Sequence, residues 1–163
     1  MVDCLSDKEI EQLLGERKSL PLDYRAKLKH RPKSGHSESE LEITGECGNI
    51  FRVVMRQNLI NKLDFSVILG FRPKESSRLF RLRRYNGKSH EHTNSVEKNR
   101  FYGFHIHTAT LRYQQLGARE DSFAEKTDRY SDIHGAFDCL VGDCNFELPP
   151  GETFNMFSSD KNE

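Results

Sequence analysis

Five stretches in which apolar and polar side chains alternate with a period of two dominate the middle of this chain, and they leave little room for anything but a sheet. Leu41 and Ile43 face one way while Glu42, Thr44 and Glu46 face the other. After a turn at Gly48-Asn49, Phe51, Val53 and Met55 oppose Arg52, Val54 and Arg56. Leu63, Phe65, Val67, Leu69 and Phe71 form the third run, and Arg72-Pro73-Lys74 turns the chain. Phe80 and Leu82 then alternate with Arg81, Arg83 and Tyr85, and Tyr102, Phe104 and Ile106 oppose His105 and His107 in a fifth run over 101–110. Short connections between such runs predict an antiparallel meander with one apolar face and one largely polar face.

Helices flank this sheet. Ser6-x-x-Glu9 has the form of a capping box, and Ile10, Leu13 and Leu14 follow at helical spacing, predicting a helix near 7–18. Tyr130, Ile133, Phe137, Leu140 and Val141 predict a second helix, capped by Asp128 or Ser131 and stopped by Gly142, that covers the apolar face. The fold class is therefore α+β: about five antiparallel strands with an N-terminal and a C-terminal helix on one face. With 163 residues the chain is long enough for one cored domain, placed over 1–150, and 151–163 reads as a flexible tail.

The composition removes several function classes. No run of 18 apolar residues exists and the N-terminus has no secretory pattern, so a cytoplasmic protein without a membrane span is expected. Cys4, Cys47, Cys139 and Cys144 form no CxxC pair and read as reduced thiols. Neither a phosphate-binding P-loop nor a G-x-S-x-G elbow is present. The net charge of zero conceals a split, because the segment from residue 116 onward carries 11 acidic and only 4 basic side chains. The basic remainder suits an anionic partner, and it equally suits packing of the two parts against each other.

Chemistry-bearing residues concentrate in two places. If Phe80 and Leu82 point inward, Arg81, Arg83 and Tyr85 point outward, and the same parity brings out His105 and His107 on the next strand. Arg52 and Arg56 extend this surface. The polar loop 86–100 between the two strands adds Lys88, His90, Glu91 and His92. Imidazoles near neutral pH move protons and arginine forks match phosphoryl oxygens. The expectation is a small RNA-acting protein, a metal-independent endoribonuclease of toxin or defence type. In it His90, His92, His105 and His107 transfer protons and Tyr85 stacks or donates. Arg81, Arg83, Lys88, Arg52 and Arg56 hold phosphate, and no cofactor is required. Its partner is RNA or another phosphate-bearing ligand.

Two alternatives use the same residues. One is a non-catalytic module that binds nucleic acid or a protein partner. The other is a metal enzyme, because His90-x-His92 and His105-x-His107 are two His-x-His pairs. Those four, or three with Glu91 or Glu97, make a donor set for zinc, iron or manganese. His90-x-His92, Glu97 and Gly103 echo the first half of a cupin pattern whose second half is missing. His134 and Asp138 lie one helical turn apart and read as a surface pair, and Cys139 lacks a catalytic partner beyond His134.

The stretch Phe80-Arg-Leu-Arg-Arg-Tyr-Asn-Gly-Lys-Ser-His-Glu-His-Thr-Asn94, followed by Phe104-His-Ile-His-Thr-Ala-Thr110 and Thr127-Asp-Arg-Tyr130, resembles a group of small uncharacterised prokaryotic proteins met in mobile-element, phage and toxin–antitoxin settings. The resemblance implies a bacterial or archaeal setting and a nucleic-acid role, and it assigns no catalytic residue.

Overall fold

The computed structural model describes residues 4–29 and 31–152, so residues 1–3, residue 30 and all but the first two residues of the expected tail 151–163 lie outside the described residues. Helix α1 (Asp7–Gly15) begins at the expected capping box, with the Ser6 hydroxyl accepting from Glu9 N and the Glu9 carboxylate accepting from Ser6 N. Strand β1 (Lys18–Ser19) and the single-turn helix α2 (Tyr24–Lys27) lead into the sheet. The meander follows as β2 (Arg31–Lys33), β3 (His36–Thr44), β4 (Ile50–Asn58), β5 (Phe65–Arg72) and β6 (Phe80–Asn86). A hairpin, β7 (Glu91–Thr93) and β8 (Arg100–Tyr102), interrupts it before β9 (His105–Thr108). Helix α3 (Leu111–Gln115), β10 (Ala124–Lys126), α4 (Ile133–Asp143) and β11 (Phe146–Glu147) complete the chain.

The sheet has seven strands in the order β10-β9-β6-β5-β4-β3-β2, every pair antiparallel. The chain is thus an α+β protein built on a meander. The single run expected over 101–110 is two strands, β8 and β9, separated by a turn at Gly103-Phe104. The polar loop 86–100 contains one arm of the inserted hairpin. Among the described residues, no helix is long and apolar enough to cross a membrane, and all four cysteines are free.

Residues opposite one another across an antiparallel pair share a face. The rung Met55, Val67, Tyr85, Ile106 therefore marks one face, and the rung Arg56, Ser66, Asn86, His105 marks the other. On the first face Phe51, Val53, Val67, Leu69 and Tyr85 are fully buried, with Ile10, Leu13 and Leu14 of α1 and Phe137, Leu140 and Val141 of α4 in the same apolar cluster. Each such side chain contributes about 1.5–3 kcal/mol on leaving water, which is what fixes the helices to this face. The cap of α4 is Asp132, whose Oδ1 accepts from Gly135 N at 2.8 Å. Asp128 and Ser131, the expected caps, lie outside the helix, which also runs past Gly142 to Asp143.

Two polar groups anchor the ends of the helices. Lys18 Nζ is buried and donates to the carbonyls of Leu13, Leu14, Glu16 and Cys144 at 2.8–3.0 Å. A cation placed where the last turns of α1 and α4 present bare carbonyls satisfies groups that would otherwise be orphaned. Asp143, at the end of α4, accepts from Tyr85 Oη at 2.6 Å and from both terminal nitrogens of Arg129 at 2.8–2.9 Å.

The face assignment along β6 departs from simple alternation. A register shift falls between Leu69 and Gly70, so that Leu69 pairs with Arg83 while Gly70 pairs with Arg81, leaving Leu82 as the extra residue. A bulge of one residue exchanges the two faces beyond it. Leu82 is core, as the alternation predicts, but Tyr85, three residues on, is core too. Gly70 suits this position because a Cβ there would lie 2.3 Å from Leu79 Cγ.

Candidate metal centre

The slip in β6 brings Arg84, not Arg83, beside the histidines. Arg84 pairs with His107 and Asn86 pairs with His105, all on the face away from α1 and α4. Tyr85, expected on this surface as a stacking or proton-donating group, is instead fully buried on the core face, where its hydroxyl bonds to Asp143. Burial holds its phenol well above the ordinary value. Arg83 is likewise directed toward Tyr85, Cys144 and Asp143.

His105 and His107 share the polar face but are not open to solvent: their exposures are 1% and 4%. The β7–β8 hairpin folds over them and delivers a third imidazole, His92. The ring centroids of His92 lie 5.4 Å from His105 and 4.8 Å from His107, and those of His105 and His107 lie 5.0 Å apart. One nitrogen from each of the three histidines falls within 4.8 Å of the others. Phe101, opposite His92 in the hairpin, packs at 5.5 Å from His92 and 5.7 Å from His105, closing the apolar side.

Hydrogen bonds set the tautomer of each ring. His105 Nδ1 lies 2.8 Å from the Gly103 carbonyl and His107 Nδ1 lies 2.7 Å from the Asp121 carbonyl. A carbonyl only accepts, so both Nδ1 atoms carry protons and both Nε2 atoms keep lone pairs. His92 Nε2 lies 2.9 Å from Asn94 Oδ1. The Asn94 amide is oriented by the Ala124 backbone, whose N donates to Oδ1 and whose O accepts from Nδ2. His92 therefore donates from Nε2, which leaves Nδ1 as the atom to face a metal. Gly103 takes φ of +145°, a conformation that favours glycine, on the way from the hairpin into β9.

Three imidazoles, each with one nitrogen fixed on a carbonyl oxygen, form the donor arrangement that holds a transition metal. The His105 Nε2 lone pair is buried and makes no hydrogen bond among the described residues. Burial pushes the imidazole of His105 down to about 4 and that of His107 down to about 2. Both stay unprotonated at neutral pH, which suits ligands and makes them poor proton donors. A tetrahedral ion with nitrogens at about 2.0–2.1 Å would set them about 3.3 Å apart, inside the 4.8 Å within which the three nitrogens lie.

The other expected residues divide around this triad. His90 lies at the exposed rim, its ring 6.3 Å from His105 and its Nδ1 3.0 Å from Ser89 Oγ. Glu97, expected as an alternative ligand, accepts from Tyr113 Oη at 2.6 Å and from Arg112. Glu91 is exposed and faces Arg100 at 3.9 Å. Arg56 shares the rung of His105 but lies three strands away, about 14 Å at ordinary strand spacing. It and Arg52 pair with Glu38 and Glu42 at 3.8 and 3.5 Å. Lys88 rests over the Phe104 ring at 5.5 Å. Arg81 stays on the polar face, its charge close enough to Arg84 to disfavour a second cation there.

Sequence reasoning missed Asn94, Arg84 and Asp121. Asn94 has only the signal of a turn-forming residue two positions after a histidine. Asp121 lies in a segment without periodicity, and nothing local marks it. A cleft of about 300 Å³ opens beside the triad, with Arg84, Asn86, His90, His92, His107 and Tyr113 on its wall. No known protein family, no curated protein and no solved structure matches the chain, so the chemistry of this site carries the functional reading.

Proposed function

We propose that the protein is a metal-dependent enzyme whose ion is held by His92, His105 and His107, with the remaining coordination position open to the cleft. The observation that carries this reading is the buried, unpartnered Nε2 of His105 within a triangle of imidazoles whose other nitrogens are all fixed by oxygen acceptors. A buried lone pair without a partner is costly, and an ion satisfies it. Three protein ligands with an open position is the catalytic rather than the structural pattern. Such an ion is a Lewis acid that makes a coordinated water acidic near neutral pH, which supports hydrolysis. Zinc and iron fit imidazole donors better than manganese, which prefers oxygen; zinc fits a closed-shell hydrolytic role.

The metal-independent ribonuclease is the weaker reading, because it needs a protonated imidazole at neutral pH and burial opposes that in both His105 and His107. The test is elemental analysis of untagged protein, with zinc, iron and manganese each read against protein concentration. The expected result is close to one ion per chain, lost in His105→Ala and His107→Ala and kept in His90→Ala. Wild-type protein that takes up no ion from metal-supplemented buffer overturns the proposal.

A further inference from the structure

Among the described residues Arg84 is the one arginine or lysine that lines the cleft, and it sits beside a candidate ligand, being paired with His107 across β6 and β9. Its side chain is 20% exposed, and its Nε donates to Asp121 Oδ2 at 3.0 Å. That single bond fixes the guanidinium plane. The two terminal nitrogens make no hydrogen bond to any described residue and remain available as a two-pronged donor. Arg81 and Arg119 add positive charge close by, while the neighbouring carboxylate Glu120 is taken up by Arg78 and by Arg81 N. Among the described residues Asp121 is thus the carboxylate that these contacts leave to Arg84.

A cationic wall next to a dication is unfavourable unless an anion lies between them. From this juxtaposition, and resting on the metal reading above, we infer that the substrate is a phosphate ester, bound with one phosphoryl oxygen at the open metal position and another on the Arg84 fork. A tetrahedral oxyanion carries enough oxygens to bridge the ion and a guanidinium, whose planar donors match two of them. In the reaction one water is consumed. Its oxygen bonds to phosphorus, the ester P–O bond breaks with its electron pair on the leaving oxygen, and a proton from the water ends on that oxygen. Asp121 is a positioning residue, acting through Arg84.

The deciding experiment titrates inorganic phosphate, and acetate as a planar comparison, into metal-loaded protein followed by calorimetry. Hydrolysis of p-nitrophenyl phosphate and bis(p-nitrophenyl) phosphate then separates monoester from diester chemistry. Arg84→Lys keeps the charge opposite Asp121 and removes the fork. It is expected to weaken phosphate binding by about tenfold or more, the scale of a lost bidentate contact, with the metal content unchanged. The exposed variant Arg119→Gln, which leaves packing intact, is expected to weaken phosphate about two- to threefold through the lost field. Equal phosphate affinity in wild type and Arg84→Lys overturns the inference, as does acetate binding as tightly as phosphate. If the chain takes up no ion yet phosphate binding still depends on Arg84, the metal reading falls and the anion site stands.

Discussion

The backbone carbonyl of Asp121 accepts the Nδ1 proton of His107 at 2.7 Å, while the carboxylate of the same residue holds Arg84 at 3.0 Å. The two functions are separable, because the first does not involve the side chain. Asp121→Ala is therefore expected to leave metal content at the wild-type level while costing about 3–5 kcal/mol of stability, as removal of one partner from a buried charge pair does. Urea unfolding and elemental analysis of the same sample check both halves. Loss of the ion in this variant would mean that the carboxylate, not the carbonyl, orients His107.

Asn94 aims His92 and at the same time pins the hairpin to the backbone of β10. Asn94→Ala removes the acceptor that fixes the His92 tautomer. Metal affinity should fall about 10–100-fold, the usual consequence of losing an outer-shell partner, with His105 and His107 still in place. Competition against a chromophoric chelator measures it, and an unchanged affinity would remove Asn94 from the site.

Asp143 gives the fold an acid-sensitive clamp. Burial alone would raise its pKa, but hydrogen bonds from Arg129 and Tyr85 outweigh this and hold it below the ordinary value of 3.8. A carboxyl depressed in the folded state binds fewer protons there than in the unfolded chain. Its stabilisation is therefore fully present above the ordinary value and is lost as pH falls through the folded one. Asp143→Asn should cost about 2–3 kcal/mol at pH 7, the scale of charged hydrogen bonds. The difference from wild type should shrink steadily below pH 4. Chemical unfolding across pH 2–7 follows the two curves, and a gap that stays constant would refute the assignment.

Lys18 supplies three ammonium protons to four buried carbonyls. Lys18→Met fills the volume of the stem and strands those acceptors, at about 1–3 kcal/mol for each one left dry. A loss on the order of 4 kcal/mol in urea is expected, which would lower the melting temperature by about 8–16 °C. A melting temperature within a degree or two of wild type would show that water replaces the ammonium.

The meander and both helices were legible because burial of one face enforces a period of two along Leu41–Met55 and Phe65–Phe71, and 3.6 along Ile133–Val141. Pairing of the His-x-His strand with the Arg-rich strand was also legible, since neighbouring runs pair across the inserted hairpin. What alternation could not convey is the extra residue in β6. One residue of slip carries Tyr85 into the core and turns Arg84 to the polar face, and no side chain in Phe80–Asn86 signals it. The burial of His105 and His107 was hidden for a different reason. Their cover, Glu91–Tyr102, is polar in composition and is held by individual hydrogen bonds from Asn94 and Tyr113 instead of by an apolar stripe.

The arms of that hairpin are only three residues long, and a two-stranded ribbon of this size has almost no stability of its own in water. His92 therefore reaches the triad on a short two-stranded ribbon, while His105 and His107 stand on β9, which is paired on both sides within the seven-stranded sheet. An ion that draws the three nitrogens together would add its binding free energy to the few hydrogen bonds that hold the ribbon on the sheet.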